Sequence, residues 1–190
     1  MPQQRAPSAL VTLPAPQPGP SPPLPLPTPR PRPTHAVAVL GASMVTVHGM
    51  GGTGIMSAAV AAAREFPRLR VLALTVVTSM TGSDLADIGV AADTEEQVLR
   101  LARLAVGAGC DGVIASPREA GVLRGLLGPD RLIVTPGVVL EPEGAVGGHA
   151  RPGTPRAAFA AGASHVVVGR SVTRAADPVA ASRRVRAAAG

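Results

Sequence analysis

Thirteen of the 21 prolines fall within residues 1–33, and each one fixes φ and removes a backbone donor. A stretch built this way favours extended polyproline conformations and offers too little apolar surface to offset the entropy of ordering. Residues 1–34 are therefore expected to be a disordered proline-rich segment, and residues 35–190 to carry the fold. About 155 residues remain for a core, enough for one domain of moderate size. The segment could bind an SH3-type or WW-type groove, but its composition favours a plain unfolded tail.

The folded part is rich in Ala, Val, Leu and Gly, with no Trp or Tyr and only Phe66 and Phe159. Its core must be aliphatic, and base-stacking recognition of single strands is disfavoured. All 18 basic residues are Arg, which excludes any mechanism that needs a lysine of this chain. The net charge of +6 raises the question of nucleic acid. Only Arg183, Arg184 and Arg186 cluster, so the arginines read as a solvated surface and no nucleic-acid partner is expected. The single cysteine, Cys110, cannot form an internal disulfide. The N-terminus lacks a signal-type apolar core, and no stretch has the length of a membrane span. No membrane partner and a cytoplasmic location are expected.

From His35 onward, short aliphatic runs alternate with stretches of helical spacing, the pattern of parallel β/α units. Five strands are predicted, over residues 44–48, 71–78, 112–116, 132–135 and 165–169. Helices are predicted over 57–65, 118–127 and 155–161. The clearest helix starts at Thr94, where Gln97 three residues on makes a capping box, with Val98, Leu101, Ala102 and Ala105 forming one apolar face. Gly107 and Gly109 are expected to end it.

In parallel β/α proteins chemistry sits beyond the carboxyl ends of the strands. Gly169-Arg170 follows the last strand, where glycine lets backbone N–H groups approach an anion and a guanidinium can fork onto its oxygens. A solvated arginine explains the same dipeptide. Gly49-Met-Gly51-Gly-Thr-Gly54 matches dinucleotide-turn spacing, but the next strand runs into Thr78-Ser79 rather than the acid that would hold a ribose. A turn that lets a neighbouring loop come close is the competing explanation. His48 fits a hydrogen-bonded structural group better than a base, Asp84 and Asp87 fit capping or solvation, and Cys110 fits packing.

Taken in order, the strand-end motifs resemble the orotidine 5'-phosphate decarboxylase family. They are Val45-Thr-Val-His48-Gly-Met-Gly-Gly, Leu74-Thr-Val-Val-Thr-Ser79-Met, Asp111-Gly-Val-Ile-Ala-Ser116, Val134-Thr-Pro-Gly137-Val and Val168-Gly-Arg170-Ser-Val-Thr, over about residues 35–181. The resemblance implies an α/β fold, a (β/α)8 TIM barrel that converts orotidine 5'-phosphate to UMP and carbon dioxide as a homodimer, with no cofactor and no metal. It assigns the phosphate to Gly169 and Arg170 and to the loop after Thr135-Pro136-Gly137. It assigns the pyrimidine to Thr78 and Ser79, with Pro136 beside the base. His149 stands where the family's phosphate loop usually carries glutamine, and it can still donate to phosphate.

No catalytic residue can be assigned. The family's Asp-x-Lys-x-x-Asp motif on the third strand is absent, and so are its supporting Asp and Lys on the first two strands. About five β/α units cannot close a barrel, so a partial barrel is expected, with open edges at residues 44–48 and 165–169. The chain is accordingly expected to be a truncated, inactive and association-prone relative. Two other functions remain open, a non-catalytic binding protein using the proline-rich arm, and a sugar-phosphate enzyme on a related barrel.

Overall fold

Runs of β-branched and aliphatic residues form the sheet, in a computed structural model that describes residues 10–12, 33–91, 93–139 and 150–189. The strands are β1 (Leu10–Thr12), β2 (Met44–His48), β3 (Arg70–Leu74), β4 (Gly112–Ile114), β5 (Leu132–Thr135) and β6 (His165–Val166). All pairs are parallel and the spatial order follows the sequence. Helices α1 (Pro33–Val39), α2 (Thr53–Ala63), α3 (Gly82–Asp87), α4 (Thr94–Gly107), α5 (Ala120–Leu127), α6 (Pro155–Ala160), α7 (Arg170–Thr173) and α8 (Pro178–Ala189) fill the crossovers and the C-terminal end. This is the parallel α/β architecture the alternation predicts, in the incomplete form that the resemblance to a barrel family implies.

Alternate strand residues go to opposite faces. Val45, Val47, Val71, Ala73, Val113 and Ile133 belong to the larger core, with Met56 of α2, Val98 and Leu101 of α4 and Leu123 of α5. On the other face a small cluster contains Leu72, Ile114 and Val134. A closed barrel fills that face with layers from all its strands. Here, among the described residues, three buried residues hold it, with Met44, Leu74, Leu132 and Val167 partly buried against them.

Several expectations are corrected. Leu10–Thr12 lies inside the segment expected to be disordered, yet it pairs with β2 in the register Leu10↔Met44, Val11↔Val45, Thr12↔Thr46. Those three residues fall in a proline-free stretch between Pro7 and Pro14, and an unpaired strand edge is a template for any such stretch. The edge expected to be open at residues 44–48 is thus covered over its first half. The disorder expected for 1–34 also fails at its end, because α1 begins at Pro33 and Thr34 is buried. The rest of that segment lies outside the described residues.

Three strands are shorter than expected, β4 among them, which ends at Ile114 rather than residue 116. β3 ends at Leu74, not at residue 78, because Met80 N–H turns back onto Val77 O at 2.9 Å. β6 covers only His165–Val166. The cap of α4 is Asp93, whose side chain accepts from Glu96 N–H at 2.7 Å, rather than Thr94. Gly109, at φ +85°, then supplies the left-handed turn after Gly107 that only glycine adopts without strain. Helix α8 was not anticipated, since its buried stripe amounts to Ala181 and Val185.

Arg124 of α5 joins the far ends of the last units. Its guanidinium donates to Gly162 O at 2.8 Å and to Arg131 O at 2.9 Å. These are carbonyls of the turns entering β5 and β6.

Candidate functional site

Four turns leave the carboxyl ends of β2, β3, β4 and β5, and a fifth follows β6. The turn after β2 opens with Gly49 in a 3-10 turn, Gly49–Gly51, before α2. A Cβ at Gly49 would stand 2.8 Å from Leu74 O. Close approach to the neighbouring strand therefore accounts for this glycine, and the dinucleotide spacing requires no ligand to explain it. His48, half-buried at the end of β2, lines an apolar cleft of about 170 Å³ with Met50, Thr75, Met80, Leu85 and Ile88 among its walls.

The turn after β3 carries Thr78 and Ser79. Thr75 first closes the strand, its N–H and its hydroxyl both reaching Ile114 O, at 3.0 Å and 2.8 Å. Thr78 is buried, its carbonyl accepts Ala150 N–H at 3.0 Å, and Ser79 is exposed. Thr81 and Asp84 then form a capping box at the start of α3. Hydrogen bonds from the Thr81 backbone N–H and then its hydroxyl hold the Asp84 carboxyl below its ordinary range. Asp84 is thus the N3 partner in the capping box of Thr81, in keeping with the expectation of capping or solvation.

After β4, Ser116 and Glu119 form a second capping box, with Ser116 N–H donating to Glu119 Oε2 at 3.0 Å. Cys110, just before β4, is buried, and burial followed by the charge of Asp111 pushes its thiol up to about 11. That is the packing role its surroundings suggest, and the wrong state for a nucleophile.

The turn after β5 carries Pro136 and Gly137. Gly137 is buried at φ +80°, a backbone conformation that a side chain would strain. The chain returns at residues 150–153, where Gly153 N–H donates to Gly137 O at 3.2 Å and Val139 N–H to Gly153 O at 2.9 Å. His149 lies outside the described residues, as does most of the loop it belongs to.

After β6, Val167 N–H donates to Thr135 O at 3.0 Å, and Gly169 precedes Arg170 at the start of α7. Gly169 and Arg170 are both exposed. The β5–β6 ladder therefore brings Gly169-Arg170 and Pro136-Gly137 out of the sheet on adjacent turns. Thr78 joins them through the returning segment at Ala150.

Two residues stand out that the sequence reading left unassigned. Arg151 and Glu119 are both buried, and Arg151 Nε lies 2.8 Å from Glu119 Oε1. The signal for Glu119 was present in the spacing Ser116-Pro-Arg-Glu119, a capping box directly after a strand. Nothing in the sequence paired it with a residue 32 positions away. Among the described residues no cluster of His, Cys, Asp and Glu could hold a metal ion. No helix among them is long and apolar enough to cross a membrane.

The family model described as orotidine 5'-phosphate decarboxylase / HUMPS matches residues 33–185. The chain is 46% identical over 153 residues to orotidine 5'-phosphate decarboxylase of Anaeromyxobacter sp. (strain K), covering 80% of this chain and 66% of that protein. It is 47% identical over 149 residues to the enzyme of the same name from Neisseria gonorrhoeae (strain NCCP11945), covering 78% and 61%. The chain thus spans about three-fifths to two-thirds of the length of these relatives. The crystal structure of orotidine 5'-phosphate decarboxylase from Lactobacillus acidophilus superposes with a TM-score of 0.70 at 34% identity, covering 83% of this chain and 67% of that one.

Proposed function

Because the chain belongs to the orotidine 5'-phosphate decarboxylase / HUMPS family, we propose that it carries the nucleotide-binding part of an orotidine 5'-phosphate decarboxylase and does not decarboxylate by itself. Its ligand is orotidine 5'-phosphate or UMP. Gly169 and Arg170 receive the phosphate, together with His149 and the loop that starts at Gly137. Thr78 and Ser79 receive the pyrimidine, with Pro136 beside it. The observation that carries this assignment is the Val167 to Thr135 hydrogen bond, which makes the Gly169-Arg170 and Pro136-Gly137 turns neighbours.

The division of labour has a physical rationale. A dianionic phosphate gripped far from the reacting carbon provides binding energy that an enzyme can use to orient and destabilise the substrate carboxylate. That second task needs a proton donor and opposing charges. With no lysine anywhere in the chain, the family's manner of protonating the product carbanion is missing. The strand paired to the outer edge of β2, where the family's Asp-x-Lys-x-x-Asp strand belongs, reads Leu-Val-Thr and contains no ionisable group.

The homodimeric assembly and cytoplasmic setting of the family are part of this proposal. So is the division into a proline-rich arm and a barrel-derived unit, with the boundary moved to Pro33, where α1 starts.

Calorimetric titration with UMP and a labelled carbon dioxide assay with orotidine 5'-phosphate test the two halves separately. Binding of UMP without carbon dioxide release is the expected result. Measurable turnover overturns the catalytic half, and no UMP binding overturns the other. Tighter binding of ribulose 5-phosphate than of UMP transfers the site to sugar phosphates. Capture of an SH3-type domain by residues 1–34, with no nucleotide binding, favours the binding-protein alternative.

A further inference from the structure

The Arg151 guanidinium sits where three strand-end turns meet. Its Nη1 donates to Met80 O and its Nη2 to Val77 O at 3.5 Å, on either side of Thr78-Ser79. Its Nε makes the 2.8 Å contact with Glu119 Oε1, an ion pair rather than an aligned hydrogen bond. Glu119 uses its other oxygen on Ser116 N–H, so both partners are anchored to the main chain of a different turn. The flanking backbone is stitched in as well. Ala150 N–H reaches Thr78 O, and Gly153 N–H reaches Gly137 O. A Cβ at Gly153 would stand 2.6 Å from Pro117, so this segment has no room to shift toward the β4 turn.

Both side chains are almost wholly withdrawn from water, Arg151 at 10% exposure and Glu119 at 5%. Burying an ion pair gains little stability over an apolar pair of the same shape, because desolvation offsets most of the attraction. What such a pair provides is geometry, since each charge is tolerated only while the other is in place. Residues 150–153 are the return leg of the loop that starts at Gly137. The pair therefore sets where residues 150–153 stand relative to the turn of Thr78 and Ser79.

We propose that Glu119 and Arg151 are positioning residues of the nucleotide site, whose buried ion pair presets the separation between residues 150–153 and the pyrimidine-contacting turn. Neither touches the ligand. The inference rests on the assignment of that site to a nucleoside monophosphate, and it is tested in two arms so that the two can fail separately.

In the first arm, UMP and uridine are titrated onto the wild type, Arg151→Met and the double variant Glu119→Gln with Arg151→Met, each checked for cooperative unfolding. The ratio of the two dissociation constants measures what the phosphate contributes. It should fall about tenfold or more in both variants, with uridine affinity changed far less. An unchanged ratio in a cooperatively folding variant overturns the proposal, because a merely structural pair would lower the melting temperature without moving the ratio.

The second arm needs no nucleotide. Hydrogen exchange at the amides of Ala150 and Gly153 should accelerate in the double variant, while the amides of β4 and β5 keep their protection. Unchanged protection at 150 and 153 shows that the ion pair does not hold the loop and overturns the proposal. A wild type that binds no UMP overturns the assignment of the site, and the exchange result then decides the role of the pair alone.

Discussion

The backbone N–H of Val167 donates to the carbonyl of Thr135 at 3.0 Å, extending the β5–β6 ladder one step beyond Val166. Pro136 comes directly after the acceptor residue, and Gly169 two residues after the donor. A single main-chain hydrogen bond thus sets the spacing of two turns that are over thirty residues apart in the chain. It does so whatever side chains they carry.

Arg170→Ala should weaken UMP binding by about 2–4 kcal/mol, the range for removing a charge-assisted contact to an anion. Uridine affinity should hardly change. Calorimetry with both ligands reads this directly, and an unaltered UMP constant removes Arg170 from the phosphate site.

Leu123→Ala should destabilise the fold by about 2–5 kcal/mol, since Leu123 is wholly buried between α5 and the sheet and truncation leaves a cavity. Urea denaturation with an unchanged slope and a lower midpoint is the expected signature. A loss below about 1 kcal/mol would mean that the core around α5 closes over the gap.

At Gly49 the expected effect comes from overcrowding. Alanine there places a methyl 2.8 Å from Leu74 O, against a backbone atom that cannot rotate away. Gly49→Ala should cost about 1–3 kcal/mol, whereas Gly54→Ala, with open space around the new methyl, should cost little. Equal effects from the two substitutions would contradict the close approach of β2 and β3 at this point.

Cys110 gives a pH signature. Burial holds its thiol protonated up to about 11, against an ordinary value of 9.0 in the unfolded chain. Between those values the unfolded state releases a proton that the folded state keeps, so stability falls as pH rises, by an amount on the order of 2 kcal/mol. Below pH 9 this contribution is level. Unfolding free energies of the wild type and Cys110→Ala, measured from pH 8 to 11, should diverge in that window, and native Cys110 should resist alkylation at pH 8. Parallel pH profiles, or rapid alkylation of the folded protein, would show that the thiol is accessible.

The strands at 44–48 and 132–135 were legible because aliphatic runs of that length, buried on both faces, have few other uses. The ends of β3, β4 and β6 were not. Residues 75–78 and 167–168 continue the β-branched and aliphatic character of the strands they follow, and only the turn at Met80 and the short reach of β6 cut them off. For Asp84, position alone favoured capping or solvation over catalysis, and the structure makes it the partner of the Thr81 cap. The cap of α4 was misplaced by one residue because Asp93 and Thr94 are both good caps, and their sequence spacing cannot rank them. β1 escaped notice because three residues among prolines carry almost no local signal. It forms through an edge that β2 presents.

What the sequence determined by itself is the class of fold and the set of chemical groups available. Periodicity and glycine punctuation are local properties, and the absence of lysine is a matter of composition. Tertiary structure alone decided which distant groups meet. Glu119 and Arg151 become partners, and the turns at 136 and 169 become neighbours, because parallel register stacks the carboxyl ends of successive strands side by side. That register comes from sheet-wide burial of alternate residues, a condition no short window of sequence contains.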